Sequence, residues 1–258
     1  MPNIIELDVE DLVYSLGIMA MAIALVRWHR LGLESQLILA TGRSLLQLMV
    51  VGYFLTIIFA LNNPLLVVLL LGVMLTIAAI VARNRISQKL KGLIPTVWLS
   101  LLAGSAFTLA YALLLIIQPN PWYEPQYLIP LMGMVLGQAM NSASVAGERL
   151  VSLITRNRQE IETHLCLGAT PTQAIVSYRQ EAIRAGFIPI LNQMMVVGIV
   201  SLPGMFTGQV LAGANPLNAA SYQILILFMI ALSNLITLLL VTRGISRQFF
   251  NQDAQLIY

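Results

Sequence analysis

The sequence predicts an all-α polytopic membrane bundle of about seven transmembrane helices, with the N-terminus outside and the C-terminus in the cytoplasm. Three observations predict it. The composition is 58% hydrophobic and 10% charged, with a mean hydropathy of +0.83, which leaves too little polar surface for a soluble chain of 258 residues. Seven apolar stretches have the roughly 17–25 residues that a helix needs to cross hydrocarbon. Every Lys and Arg except Arg43 falls in segments that one alternating topology places on the cytoplasmic side.

The spans are taken in order as residues 12–28, 37–61, 65–81, 94–117, 127–146, 187–212 and 222–241. Backbone groups left unpaired in lipid cost several kcal/mol, so each span satisfies its own ladder, and no strand-type alternation points to a barrel. The first span follows Glu6, Asp8, Glu10 and Asp11 and has no basic leader, so it reads as a span and not as a cleaved signal. The cytoplasmic side then holds Arg27 and Arg30; Arg83, Arg85, Lys89 and Lys91; Arg149, Arg156, Arg158, Arg179 and Arg184; and Arg243 and Arg247. The outer side holds only acidic charge, with Glu124 joining the N-terminal carboxylates. A topology of six spans, with the first stretch lying on the surface, leaves the basic loop around His29 without a reason. The basic balance is therefore explained by the bilayer and needs no nucleic acid. Cys166, the only cysteine, falls in a cytoplasmic segment and is expected to stay a reduced thiol.

The chain reads as a single transmembrane domain over 1–258, and one of its connections is long. Residues 147–186 form a polar cytoplasmic segment of about 40 residues, and a connection of that length is usually functional. Its grammar is a helix pair with a sharp break. Gly168 sits where a helix end needs a left-handed residue. Thr170, Pro171 and Gln173 supply an N-cap, a first helical position and a Thr-x-x-Gln capping box. Ile161 and Leu165 share one face before the break; Ile175, Tyr178 and Ala182 share one after it. Such a knob, flanked by Arg158, Glu160 and Glu162, suits either the headgroup region of the bilayer or a soluble partner.

Here the residues resemble a known family. The run Glu162-Thr163-His164-Leu165-Cys166-Leu167-Gly168-Ala169 has the Glu-to-Gly spacing of the loop through which ABC-transporter permeases engage their ATPases, although Thr163 and His164 replace the usual alanines. The blocks PLMGMVLGQAMNS at 130–142 and MVVGIVSLPGMFTGQVLAG at 195–213 are similar to the FetB-type family of bacterial ABC permeases, associated with iron export and with plant relatives linked to aluminium tolerance. The resemblance implies a homodimeric permease in the cell's inner (plasma) membrane that exports iron, another metal or a metal complex. Glu160, Glu162, Leu165, Gly168 and Ala169 would then contact a separate ATPase subunit. It also implies that ATP and Mg are bound on that partner, with no cofactor in this chain. The residues permit this division, because no Gly-x-x-x-x-Gly-Lys-Ser/Thr phosphate loop and no catalytic constellation occurs, so an enzyme is not expected. The alternative is a secondary transporter of a small solute without an ATPase; it would want intramembrane carboxylates or paired broken helices.

The fifth and sixth spans offer the candidate pathway. Gly133, Gly137, Asn141 and Ser144 make a small and polar stripe, and Gly204 with Gly208 a second close-approach pair; plain helix packing is the competing reading of both. Pro203 and Gly204 predict a kink or break that acts as a hinge. Thr207 and Gln209, one turn on, offer oxygen ligands. Met132, Met134, Met140, Met194, Met195 and Met205 cluster in the same two spans, either as core filler or as a thioether path. Arg43, two turns inside the second span, either snorkels to the interface or lines a cavity that would favour anions. The metal site is unknown: no Asp, Glu or His lies within a span.

Overall fold

Long runs of Leu, Val, Ile and Ala with few breakers can satisfy their backbone only along their own axis when no water is present, and helices result throughout. The computed structural model describes residues 9–87, 90, 92–251 and 255–257. Glu6, Asp8, Lys89 and Lys91, which the charge argument uses, lie outside the described residues. The chain divides into two compact units, residues 1–63 with 211–213, and 64–210 with 214–258.

The first unit contains α1 (Val9–Trp28) and α2 (Glu34–Leu61), which pack against each other. Glu10 and Asp11 in the first turn of α1 and Arg27 in its last complement the helix dipole. Large apolar side chains of α2 stand out from the protein, among them Leu39, Leu46, Leu48, Met49 and Tyr53. Its hydroxyls turn inward to the helix: Thr41 donates to the Leu37 carbonyl at 2.8 Å and Thr56 to that of Gly52 at 3.0 Å. Such a surface is made for hydrocarbon, not water.

The second unit is built on α5 (Pro125–Arg156) and α10 (Pro216–Gln248), which pack on each other. Around them lie α3 (Pro64–Ile86), α4 (Leu93–Tyr111) with a π-helical tail at Ala112–Ile117, and α8 (Val176–Val196). Val135, Ala139, Ala143 and Leu150 of α5, Val97 and Leu101 of α4, and Leu238 and Val241 of α10 have no exposed surface. Small residues let the backbones close. A Cβ on Gly186 would lie 2.8 Å from the Ser142 carbonyl oxygen and 2.9 Å from the Ala146 Cβ, and one on Gly104 would lie 2.7 Å from the Ser233 carbonyl oxygen. Polar groups pair across the same seam: Asn234 Nδ2 donates to Ser142 Oγ at 2.9 Å, both residues being buried.

Five helices among the described residues are long and apolar enough to cross a membrane: α2, α3, α4 with its tail, α5 and α10. Val13–Trp28 is a shorter apolar helix. The expected sixth span is not one helix, because α8 stops at Val196 and α9 (Gly204–Leu211) begins after an irregular stretch. The polar segment 147–186 is also shorter as an independent element than its sequence suggests. Charged residues such as Glu148 and Arg149 continue a helix as readily as apolar ones, so α5 runs on to Arg156 and α8 already starts at Val176. What remains is an elbow of α6 (Arg158–Cys166) and α7 (Pro171–Ala174).

Candidate functional site

Local hydrogen bonding makes the elbow stiff. Gly168 adopts φ +93°, its N–H donates to the Leu165 carbonyl and that of Ala169 to the His164 carbonyl, both at 3.0 Å. This pair of bonds is the Schellman closure of a helix end, and it depends on a left-handed residue that glycine supplies without a steric penalty. Two residues later the next helix opens with a complete capping box. Thr170 Oγ1 accepts from the Gln173 N–H at 3.3 Å and Gln173 Oε1 accepts from the Thr170 N–H at 2.9 Å, with Pro171 at the first helical position. The break, the cap and the box all stand where the sequence puts them.

Ile161, Ala174 and Ile175 are buried and seat the elbow, whereas Leu165 is only half-buried. Arg158 Nε pairs with Glu162 Oε1 at 2.7 Å along α6. Glu160 is not a free acidic contact: it accepts a hydrogen bond from the Tyr178 hydroxyl. Burial first, and then this carboxylate, push the Tyr178 pKa up to about 12. Glu160, Glu162, Leu165, Gly168 and Ala169 thus come together in one elbow. The sequence reading missed Leu167, which is 80% exposed at the tip. Its signal was available, since a leucine at the end of a helix, next to Gly168, has no packing position to fill.

The second candidate region surrounds the break between α8 and α9. Pro203 stands at its end, and the unwinding begins earlier, where Gly198 takes φ +81° and its N–H donates to the Ser201 carbonyl at 2.9 Å. A cleft of about 300 Å³ opens there, lined by Val197, Gly198, Leu202, Pro203, Phe206 and Gln223 among others. Gln223, on α10, is 7% exposed, and its Oε1 has no hydrogen-bond partner among the described residues. A buried acceptor left unpaired costs about 1–3 kcal/mol, so the amide is held at an energetic disadvantage in an otherwise apolar wall. The C-terminal end of α8 brings partial negative charge to the same place. Together they favour a donor-bearing or positively charged guest. Nothing in the sequence distinguishes Gln223 from any other glutamine in an apolar run.

The other pathway candidates are scattered over different environments. Thr207 Oγ1 donates back to the Pro203 carbonyl at 3.1 Å and so steadies the break. Met205 and Gln209 are half-buried on α9. On α5, Met140 is half-buried, while exposed Asn141 accepts from Arg85 Nη1 at 2.9 Å. None of Met140, Asn141, Met205, Thr207 and Gln209 lines the cleft. A Cβ on Gly133 would lie 3.4 Å from Met74 Cε, and Ser144, which is buried, bonds back to the Met140 carbonyl. Among the described residues, Gly137, Gly204 and Gly208 have no neighbour within 4 Å of such a Cβ, so the last two make no close-approach pair there. Of the methionines, Met132 is buried and Met195 exposed. Arg43 stands exposed on α2 of the first unit. Among the described residues no group of three His, Cys, Asp or Glu could hold a metal.

The model of a family described as uncharacterised protein family UPF0014 matches residues 9–250. A UPF0014 membrane protein of Synechocystis sp. is 61% identical over 254 residues, covering 98% of each chain. The probable iron export permease protein FetB of Escherichia coli (strain K12) is 32% identical over 248 residues, 96% of this chain and 94% of its own. The protein ALUMINUM SENSITIVE 3 of Arabidopsis thaliana is 33% identical over 215 residues, 83% of this chain and 77% of its own. No solved structure matches the chain.

Proposed function

Since the chain belongs to the UPF0014 family of membrane proteins, we propose that it is the membrane-spanning permease subunit of an ABC transporter that exports iron, another metal or a metal complex. A homodimer in the inner (plasma) membrane, with seven passes, the N-terminus out and the C-terminus in, would bind two copies of an ATPase that carries the ATP and Mg. The observation that carries this reading is the elbow. Two capping motifs back to back fix the angle between α6 and α7, and they hold Leu167 outward at the end of helices that run on from the apolar bundle. A stiff, apolar-tipped corner at the end of long helices transmits force, whereas a headgroup anchor needs no such rigidity. Iron rests on the relative named a probable iron export permease, and the orphaned Gln223 oxygen beside the end of α8 supports a cationic guest.

The test is co-purification of the candidate ATPase with the full chain and with Gly168→Val. A β-branched residue is strained at φ +93°, so the variant is expected to insert normally and to lose the ATPase. Normal capture rejects the docking role. Vesicles holding this chain alone that transport cargo at full rate would instead establish the secondary transporter.

A further inference from the structure

A second cavity lies at the other face of the elbow, where the start of α8 meets the end of α10. It measures about 390 Å³, room for about a dozen waters, and Thr172, Arg179, Arg243, Ser246, Arg247 and Phe250 are among its lining residues. Three of these are arginines, and no Asp or Glu lines the cavity among the described residues.

Among the described residues no carboxylate neutralises these arginines. Arg179 is held in place by neutral partners, Nε donating to Thr242 Oγ1 and Nη2 to the Leu239 carbonyl, both at 3.2 Å. Arg243 and Arg247, one turn apart on an exposed face of α10, have no ion pair or hydrogen bond among the described residues. Among the described residues, three acidic groups of the region are engaged by other residues: Glu181 by Arg149, Glu162 by Arg158, Glu160 by Tyr178. Burial, and then the charge of Arg243, lower the Arg179 pKa from its usual value, so the two guanidinium groups stand close enough to repel.

Position and chemistry agree on what would fill it. The apolar run of α10 ends at Val241, so Arg243 and Arg247 stand where hydrocarbon gives way to headgroups, and a guanidinium fork matches phosphate oxygens in geometry as well as charge. We propose that this cavity binds a phosphate group, supplied by the headgroup of an acidic phospholipid or as free phosphate. Arg179 forms the fixed floor and Arg243 with Arg247 close over the ligand. The site does not depend on the ATPase reading and is tested without an ATPase.

The full chain is placed in nanodiscs of phosphatidylcholine containing a minority of phosphatidylglycerol, and native mass spectrometry measures the acidic lipid retained on release. Arg243→Gln/Arg247→Gln is expected to lower that retention about 10- to 30-fold, as loss of two basic contacts to an acidic headgroup implies. Arg243→Lys/Arg247→Lys, which keeps the charge and loses the fork, should recover part of it. The single exposed change Arg247→Gln, with about a fivefold loss, serves if the double variant inserts poorly. In a second arm, inorganic phosphate is titrated into detergent-purified protein. Binding that the Gln pair abolishes, with lipid retention unaltered, assigns the site to free phosphate. If neither ligand distinguishes the Gln pair from the parent, the proposal is overturned.

Discussion

Arg149 of α5 and Glu181 of α8 meet at 2.5 Å, joining the two helices just before they enter the elbow. Both side chains are nearly half exposed, so the pair contributes little to stability, of the order of 1 kcal/mol or less. Its effect is geometric: it ties two levers at the same height. Arg149→Gln is expected to shift thermal unfolding only slightly while raising the ATPase activity of the assembled complex that is not matched by transport. Measuring both rates on one preparation checks it, and tight coupling in the variant contradicts the role.

Leu167 provides a cleaner test of docking than any buried residue. It is exposed and lies outside both capping bond networks apart from its own backbone, so Leu167→Asp should leave melting within about 0.5 kcal/mol of the parent. ATPase capture should fall at least tenfold, as for a central interface anchor. Gly168→Asn should keep capture, because asparagine tolerates the left-handed region far better than valine.

Gln223→Leu separates stability from activity. Removing an unpaired acceptor from an apolar wall should stabilise the protein by up to about 1–3 kcal/mol while flux falls. Thermal unfolding in detergent and vesicle transport read the two effects. A variant that is more stable and equally active would make the cleft a packing defect. Gln209→Leu, half-buried on α9 and outside the cleft, should change flux less.

Close helix contacts predict a third class. Gly186→Val places carbon against the Ser142 carbonyl and Ala146, and overpacking of this kind costs about 1–3 kcal/mol. Lowered thermal stability of the whole chain is the expected reading, and an unchanged melting curve would show that α8 stands off from α5.

Tyr178 sets a pH dependence. Its hydroxyl ionises at about 12 in the folded protein against 10.0 for the ordinary side chain. Folding therefore favours the neutral phenol, and its contribution is complete below pH 10 and disappears as the pH rises towards 12. The absorbance difference between the parent and Tyr178→Phe should titrate near the upper value, and Glu160→Gln should move it down.

Legibility in the sequence followed the range of the forces concerned. The Schellman turn at Gly168 and the capping box of Thr170 and Gln173 are settled within a few residues, and both stand as read. The break at Pro203 and Gly204 was also local, but its onset at Gly198 depends on a turn that a run of valines and a single glycine does not announce. Helix ends were misplaced for a different reason. Hydropathy reports where apolar side chains stop, and α5 and α8 continue well past that point on charged residues. Gln223 and the bond from Tyr178 to Glu160 come from tertiary placement, which no spacing along the chain encodes.

Between Val196 and Gly204 the ladder of backbone bonds that makes a helix a rod is interrupted. A torque applied at Val176 would therefore be carried rigidly along α8 no further than Val196. If the elbow is driven as proposed, the break works as a clutch: it passes the stroke to the cleft beside Gln223 and not rigidly on to α9.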